Sequence, residues 1–72
     1  MLTIYSSPSC PKCHSLMDAM KRENIDYKEV DISKDQEALK TLVAKGLQSL
    51  PIVEIKGEFY QDPSLTKIKE LI

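Results

Sequence analysis

The sequence predicts an α/β fold in which a four-stranded mixed sheet is flanked by three helices, in the order β-α-β-α-β-β-α. Three observations carry this. Strand-like runs at Leu2-Thr3-Ile4-Tyr5 and Ile25 to Ile32 flank an amphipathic run from Lys12 to about Glu23. A strand-helix-strand unit makes its two strands parallel, with a right-handed crossover. Lys56-Gly57 reads as a tight hairpin turn between Ile52-Val53-Glu54-Ile55 and Glu58-Phe59-Tyr60, which adds two antiparallel strands. Helices are expected on both faces of the sheet.

Leu2 to Tyr5 is the first strand, and Pro8 in the turn Ser6 to Ser9 prevents its continuation. The first helix carries Cys13, Leu16, Met17 and Met20 at helical spacing, read as core contacts. Asn24 ends it in a left-handed conformation. In the second strand, Ile25 to Ile32, the apolar members Tyr27, Val30 and Ile32 alternate imperfectly, so its register is open. Ser33 or Asp35 caps the second helix, with Ala38, Leu39, Leu42 and Val43 as its buried stripe. Gly46 fits the residue just past its end. Asp62 or Ser64 caps the last helix, with Pro63 near its first turn and Leu65, Ile68, Leu71 and Ile72 as its apolar face.

The chemistry is concentrated between the first strand and the first helix. Tyr5 to His14 holds both cysteines, two of the four prolines and the only histidine. Pro11 suits the first helical position, where its missing N–H has no intrahelical partner and its φ is already helical. Cys10 is then the N-cap, and Cys13 lies in the first turn. Cys10 Sγ faces unpaired backbone N–H groups at the positive end of the helix dipole. These favour thiolate over thiol, so its pKa should fall below the ordinary value of about 8.5. Lys12 adds a screened positive charge. Cys13 is close enough to resolve a mixed disulfide on Cys10.

Other readings of the pair are weaker. A structural disulfide closing so short a loop gains only about 2 kcal/mol from unfolded-state entropy. Zinc would find at most three ligands in Cys10, Cys13 and His14, with none to complete a structural tetrahedron. Inert buried thiols fit poorly with an exposed, electropositive strand-helix junction. His14 is read as a solvent-facing first-turn residue, outside the catalytic set. Tyr5 is read as a strand core residue.

Seventy-two residues make one domain, 1–72, burying roughly 60% of its unfolded surface, so stability should be modest. Hydrophobic residues at 42% and charged residues at 29% are those of a soluble globular chain. No apolar run approaches the ~20 residues of a bilayer span, and no signal peptide is visible. With a net charge of −1, scattered basic residues and 6% aromatics, nothing points to nucleic acid. A reducing, cytoplasmic setting is expected, and two cysteines there indicate catalysis.

Taken together, the sequence resembles the glutaredoxin and glutaredoxin-like branch of the thioredoxin superfamily. The resemblance rests on Ile4-Tyr5, Cys10-Pro11-Lys12-Cys13, the run Tyr27-Lys28-Glu29-Val30-Asp31-Ile32, and Leu50-Pro51 before Ile52-Val53. It implies a thioredoxin-like fold, with Cys10 as nucleophile and Cys13 as resolving thiol. From its own context Pro51 is a trans proline opening an edge strand. The resemblance implies instead a cis Leu50–Pro51 bond, with the backbone of Leu50 pairing to substrate backbone.

Three departures from the usual glutaredoxin pattern bear on the electron donor. Ser7 stands where a basic residue usually helps to hold glutathione. Lys12 replaces the usual aromatic residue between the cysteines. Tyr60-Gln61-Asp62-Pro63-Ser64 replaces a pair of glycines followed by an acidic residue. Lys12 and the last helix N-terminus could restore some of the lost anion binding.

The expected function is thiol-disulfide exchange, in electron transport and cell redox homeostasis. The chain would reduce protein or glutathione mixed disulfides, as a monomer, with no bound cofactor and no metal. Glutathione is the co-substrate on this reading, and thioredoxin reductase is the alternative donor. In that alternative the chain passes electrons to ribonucleotide reductase. A cluster-binding or redox-sensing module is the reading from a different class.

Overall fold

The computed structural model describes residues 2–72. Its elements are β1 (Leu2–Ser6), α1 (Pro11–Arg22), β2 (Tyr27–Asp31), α2 (Gln36–Ala44), β3 (Ile52–Ile55), β4 (Glu58–Gln61) and α3 (Leu65–Leu71). The sheet order is β2-β1-β3-β4. β1 runs parallel to β2, with Leu2 opposite Tyr27, and antiparallel to β3, with Ile4 opposite Val53. β3 and β4 form the expected hairpin. Lys56 and Gly57 both have positive φ, +52° and +85°, the condition for a type I′ turn that follows the twist of the strands.

Strand alternation sorts the side chains into two faces. Leu2, Ile4, Val53 and Ile55 point toward α1 and α3. They bury against Cys13, Leu16, Met17, Met20 and Ile68 in one apolar cluster. Tyr5, Ile52, Glu54 and Phe59 occupy the opposite face, where α2 contributes Leu42. Helices therefore cover both faces, as expected.

Both long helices end in Schellman motifs. At the end of α1, Asn24 takes φ +57° and donates to Lys21 O, while Ile25 N–H donates to Met20 O at 2.9 Å. At the end of α2, Gly46 N–H bonds Val43 O at 3.0 Å and Leu47 N–H bonds Leu42 O at 2.9 Å. The first motif corrects the expected second strand. Ile25 still belongs to the helix terminus, so β2 begins at Tyr27.

Two caps resolve between the expected residues. Asp35, not Ser33, caps α2 and accepts from Ala38 N–H at 3.1 Å. Ser33 instead donates its N–H and hydroxyl to Asp31 Oδ1, at 2.9 and 2.6 Å. These bonds, the hydroxyl first, hold the Asp31 carboxyl below its usual range. Ser64, not Asp62, caps α3 and accepts from Lys67 N–H at 3.1 Å. A Lys69–Glu23 ion pair ties α3 to the end of α1 and holds Glu23 below the usual carboxylate range.

The apolar stripe of α2 is narrower than expected. Leu42 is buried and Ala38 half-buried, but Leu39 and Val43 are 40% and 62% exposed. The opposing sheet face explains this. Tyr5 and Phe59 stack there, centroids 5.9 Å apart, and Tyr5 donates to Glu54 at 3.0 Å. Lys45 covers the Phe59 ring at 5.0 Å. The sheet thus leaves one apolar row for α2 to bury. Ile72, expected on the apolar face of α3, is also exposed.

Candidate active site

Cys10 and Cys13 form a disulfide at the N-terminus of α1, with Cα atoms 5.3 Å apart. The local sequence makes this junction. Pro11 takes the first helical position, and Cys10 is the N-cap with extended φ and ψ of −104° and 100°. Cys13 N–H donates to Cys10 Sγ at 3.2 Å. His14 N–H donates to Cys10 O at 3.3 Å, the first bond of the helix. The cap that is usually a Ser or Asp oxygen is here a sulfur. When the disulfide is opened, the same N–H meets a group that can carry negative charge.

The two sulfurs have different surroundings. Cys13 is fully buried in the α1–α3 cluster, whereas Cys10 is half-buried at its edge. His14 is exposed, and its Nε2–H donates to Pro8 O at 3.1 Å, bracing the turn that precedes Cys10. Cys10 N–H also donates to Ser7 O at 3.2 Å. Tyr5 lies on the α2 face, where burial, then the hydrogen bond to Glu54, pushes its phenol up to about 12.

The Leu50–Pro51 peptide bond is cis. Pro51 is buried, and Leu50 is half-buried against the same cluster that holds the cysteines. Leu50 precedes the sheet register, which begins at Ile52. Its side chain also lines an apolar groove of about 220 Å³ with Ile32, Leu39, Leu42, Val43 and Ile52.

Lys12 does not stand free. Its ammonium pairs with Asp62 Oδ2 at 3.2 Å, both side chains being well exposed. Such a pair is worth at most about 1 kcal/mol, so its effect is on local charge rather than stability. Asp62 takes φ +47°, and its backbone N–H donates to Pro51 O at 2.7 Å. The turn after β4 therefore links Lys12 to Pro51. Beside it, Gln61 Oε1 accepts from Gln48 N–H at 3.0 Å and Ser49 N–H at 3.2 Å. The sequence reading placed Cys10, Pro11, Lys12, Cys13, Leu50 and Pro51 here but missed Gln61 and the pairing role of Asp62. Their only sequence signal was a polar turn between the last strand and last helix.

Among the described residues, no three His, Cys, Asp or Glu side chains converge as a metal site. No helix among them is long and apolar enough to cross a membrane.

A family model for glutaredoxin matches residues 2–60. An uncharacterized glutaredoxin-like 8.6 kDa protein of the rubredoxin operon of Clostridium pasteurianum is 30% identical, over 100% of this chain and 97% of its own. The glutaredoxin-like protein NrdH of Escherichia coli K12 is 33% identical over 72% of this chain and 64% of its own. Among solved structures, NrdH-redoxin from Escherichia coli, described as a glutaredoxin-like protein with a thioredoxin-like activity profile, superposes with a TM-score of 0.88. It shares 27% identity over 99% of this chain and 93% of its own. The thioredoxin-like protein BC3987 superposes at 0.85, with 30% identity over 100% of both chains. A dithiol pair at a strand-helix junction, on this fold and with these relatives, performs thiol-disulfide exchange. The chain belongs to the glutaredoxin family, as a small glutaredoxin-like thiol-disulfide oxidoreductase.

Proposed function

We propose that Cys10 is the nucleophile and Cys13 the resolving thiol of a redoxin that draws its electrons from a thioredoxin-reductase-type flavoprotein, not from glutathione. In the reduced protein the Cys10 thiolate attacks one sulfur of a substrate disulfide. The S–S bond breaks, and the leaving sulfur departs as thiolate and takes a proton. Cys13, deprotonated, then attacks Cys10 Sγ. The mixed disulfide breaks, the second substrate sulfur leaves and is protonated, and the Cys10–Cys13 disulfide remains. Two electrons and two protons have passed to the substrate. The flavoprotein restores the dithiol.

The burial difference supports the assignment of roles, because an incoming disulfide can reach Cys10 but not Cys13. Leu50, next to the buried Pro51, offers backbone outside the sheet register to which a substrate strand can pair. Pro11 fixes the helix start, and Lys12 with Asp62 forms the rim.

The observation that carries the donor assignment is the Lys12–Asp62 ion pair. Lys12 was the residue available to replace the basic side chain that Ser7 lacks. Its charge is instead offset by a carboxylate that repels the carboxylates of glutathione. At the start of the last helix, Ser64 Oγ takes up Lys67 N–H. The thioredoxin-like activity profile of the structurally similar NrdH-redoxin agrees with this reading. Small redoxins of this kind serve ribonucleotide reductase in a reducing cytoplasm, and a disulfide of that enzyme is the acceptor we favour.

Disulfide reductase turnover should be measured with two supplies in parallel, thioredoxin reductase with NADPH and glutathione with glutathione reductase. Turnover is expected with the first and at least tenfold less with the second. Cys10→Ser should abolish it, and Cys13→Ser should accumulate mixed disulfide with substrate. Equal or faster turnover with glutathione would overturn the donor assignment. An active Cys10→Ser protein would overturn the assignment of the nucleophile.

A further inference from the structure

We propose that Gln61 is a positioning residue for protein substrates, acting through the segment that leads into the cis-Pro51 bond. The inference rests on the proposed pairing of substrate backbone with Leu50. A backbone edge can pair with an incoming strand only if it is held in one place. Ordering a mobile segment at the moment of association subtracts from affinity. Residues 48 and 49 belong to no strand or helix, so no ladder or helix bond holds their N–H groups in place.

Gln61 supplies one partner for both. Its side-chain oxygen has two acceptor sites, and two consecutive backbone N–H groups converge on it at 3.0 and 3.2 Å. Two converging donors also fix which end of the carboxamide is the oxygen. On the other side of Leu50, Pro51 O accepts from Asp62 N–H at 2.7 Å. Leu50 is thus fastened before and after by two adjacent residues, Gln61 at the end of β4 and Asp62 in the turn that follows. Gln61 lies at the end of β4, opposite Ile52, so the hairpin register sets where the clasp falls.

Gln61 touches neither sulfur, and its side chain is exposed. Its loss should therefore leave the fold and the chemistry of Cys10 intact while loosening the pairing edge. Protein disulfides need that edge. A small aromatic disulfide such as 5,5′-dithiobis(2-nitrobenzoate) has no backbone to pair.

The test uses the full chain, reduced with dithiothreitol and freed of it, so that no electron donor enters the result. Rate constants are measured for insulin and for the small disulfide, for wild type, Gln61→Ala and Gln61→Glu. Losing these hydrogen bonds should slow insulin reduction by about fivefold, by raising the insulin concentration that gives half the limiting single-turnover rate and not by lowering that limiting rate. The rate with the small disulfide should stay within about twofold of wild type, since the reacting sulfurs are unchanged. Gln61→Glu keeps a two-site acceptor at the same reach and should recover most of the insulin rate. Equal losses with both substrates would assign Gln61 a merely structural role and overturn the proposal. So would an unchanged insulin rate in Gln61→Ala, or no recovery in Gln61→Glu. Failure of wild type to reduce either disulfide would instead overturn the proposed function itself.

Discussion

The two faces of the sheet differ in depth. Toward α1 and α3, nine buried apolar residues from β1, β3 and both helices form one cluster, and Cys13 is one of them. Toward α2, the fully buried residues are Leu42 and Ile52, surrounded by a Tyr5–Phe59 stack, a carboxylate and a lysine. The dithiol is built on the deep face. That placement gives the helix start little freedom, because α1 is anchored by Leu16, Met17 and Met20 directly behind the cysteines. The shallow face lies behind the segment that leads to Pro51, where a substrate would arrive.

The difference can be broken by stability measurements. Met20 is fully buried, and truncation leaves a cavity that rigid neighbours on three elements cannot fill. Met20→Ala should cost about 3 kcal/mol in denaturant unfolding. Leu42→Ala on the other face should cost less, about 2 kcal/mol, because exposed Leu39 and Val43 can settle into the space. Equal costs would mean that the two faces are equally rigid.

Smaller effects sharpen the contrast. Tyr5→Phe removes one hydrogen bond to Glu54 and should cost about 1 kcal/mol near neutral pH. Tyr5 also makes the shallow face sensitive to alkali. Its folded pKa of about 12 lies above the ordinary 10.0, so the fold favours the protonated phenol. That contribution is fully present below the unfolded value and is lost as pH rises through the folded one. Absorbance titration of the phenols should lose its step near pH 12 in Tyr5→Phe. Val43→Ala should change stability by no more than about 0.5 kcal/mol, since most of that side chain already meets water.

Local signals in the sequence translated well into structure. Pro11 after Cys10 marked the helix start, Asn24 and Gly46 marked the helix ends, and Lys56-Gly57 marked the hairpin. Each is a preference of backbone geometry that a few neighbouring residues decide. What was not legible depends on distant partners. Apolar spacing made Leu39 and Val43 core residues, but spacing reports a helix face and not the depth of the surface opposite it. Ser33 and Asp35 were equal as caps until Asp31 engaged Ser33. The candidate site divides in the same way. The cysteines were visible as a motif, and Pro51 through family resemblance. Lys12 and Asp62 are 50 positions apart, and the Gln61 clasp spans 12 and 13. No local pattern announces such contacts.

The burial of Cys13 beneath Cys10 has a consequence for damage as well as for turnover. A peroxide meeting the reduced protein would reach the half-buried Cys10 before the buried Cys13 and would convert Cys10 to a sulfenic acid. The neighbouring thiol condenses with it, expelling water and leaving the ordinary disulfide. Irreversible steps to sulfinic and sulfonic acid need a second and third encounter with oxidant. A second thiol stored one helical turn away and more deeply buried would intercept the first product before those encounters occur. The same difference in burial would thus also return an oxidised pair to a disulfide, a form that thiol-disulfide exchange can reduce.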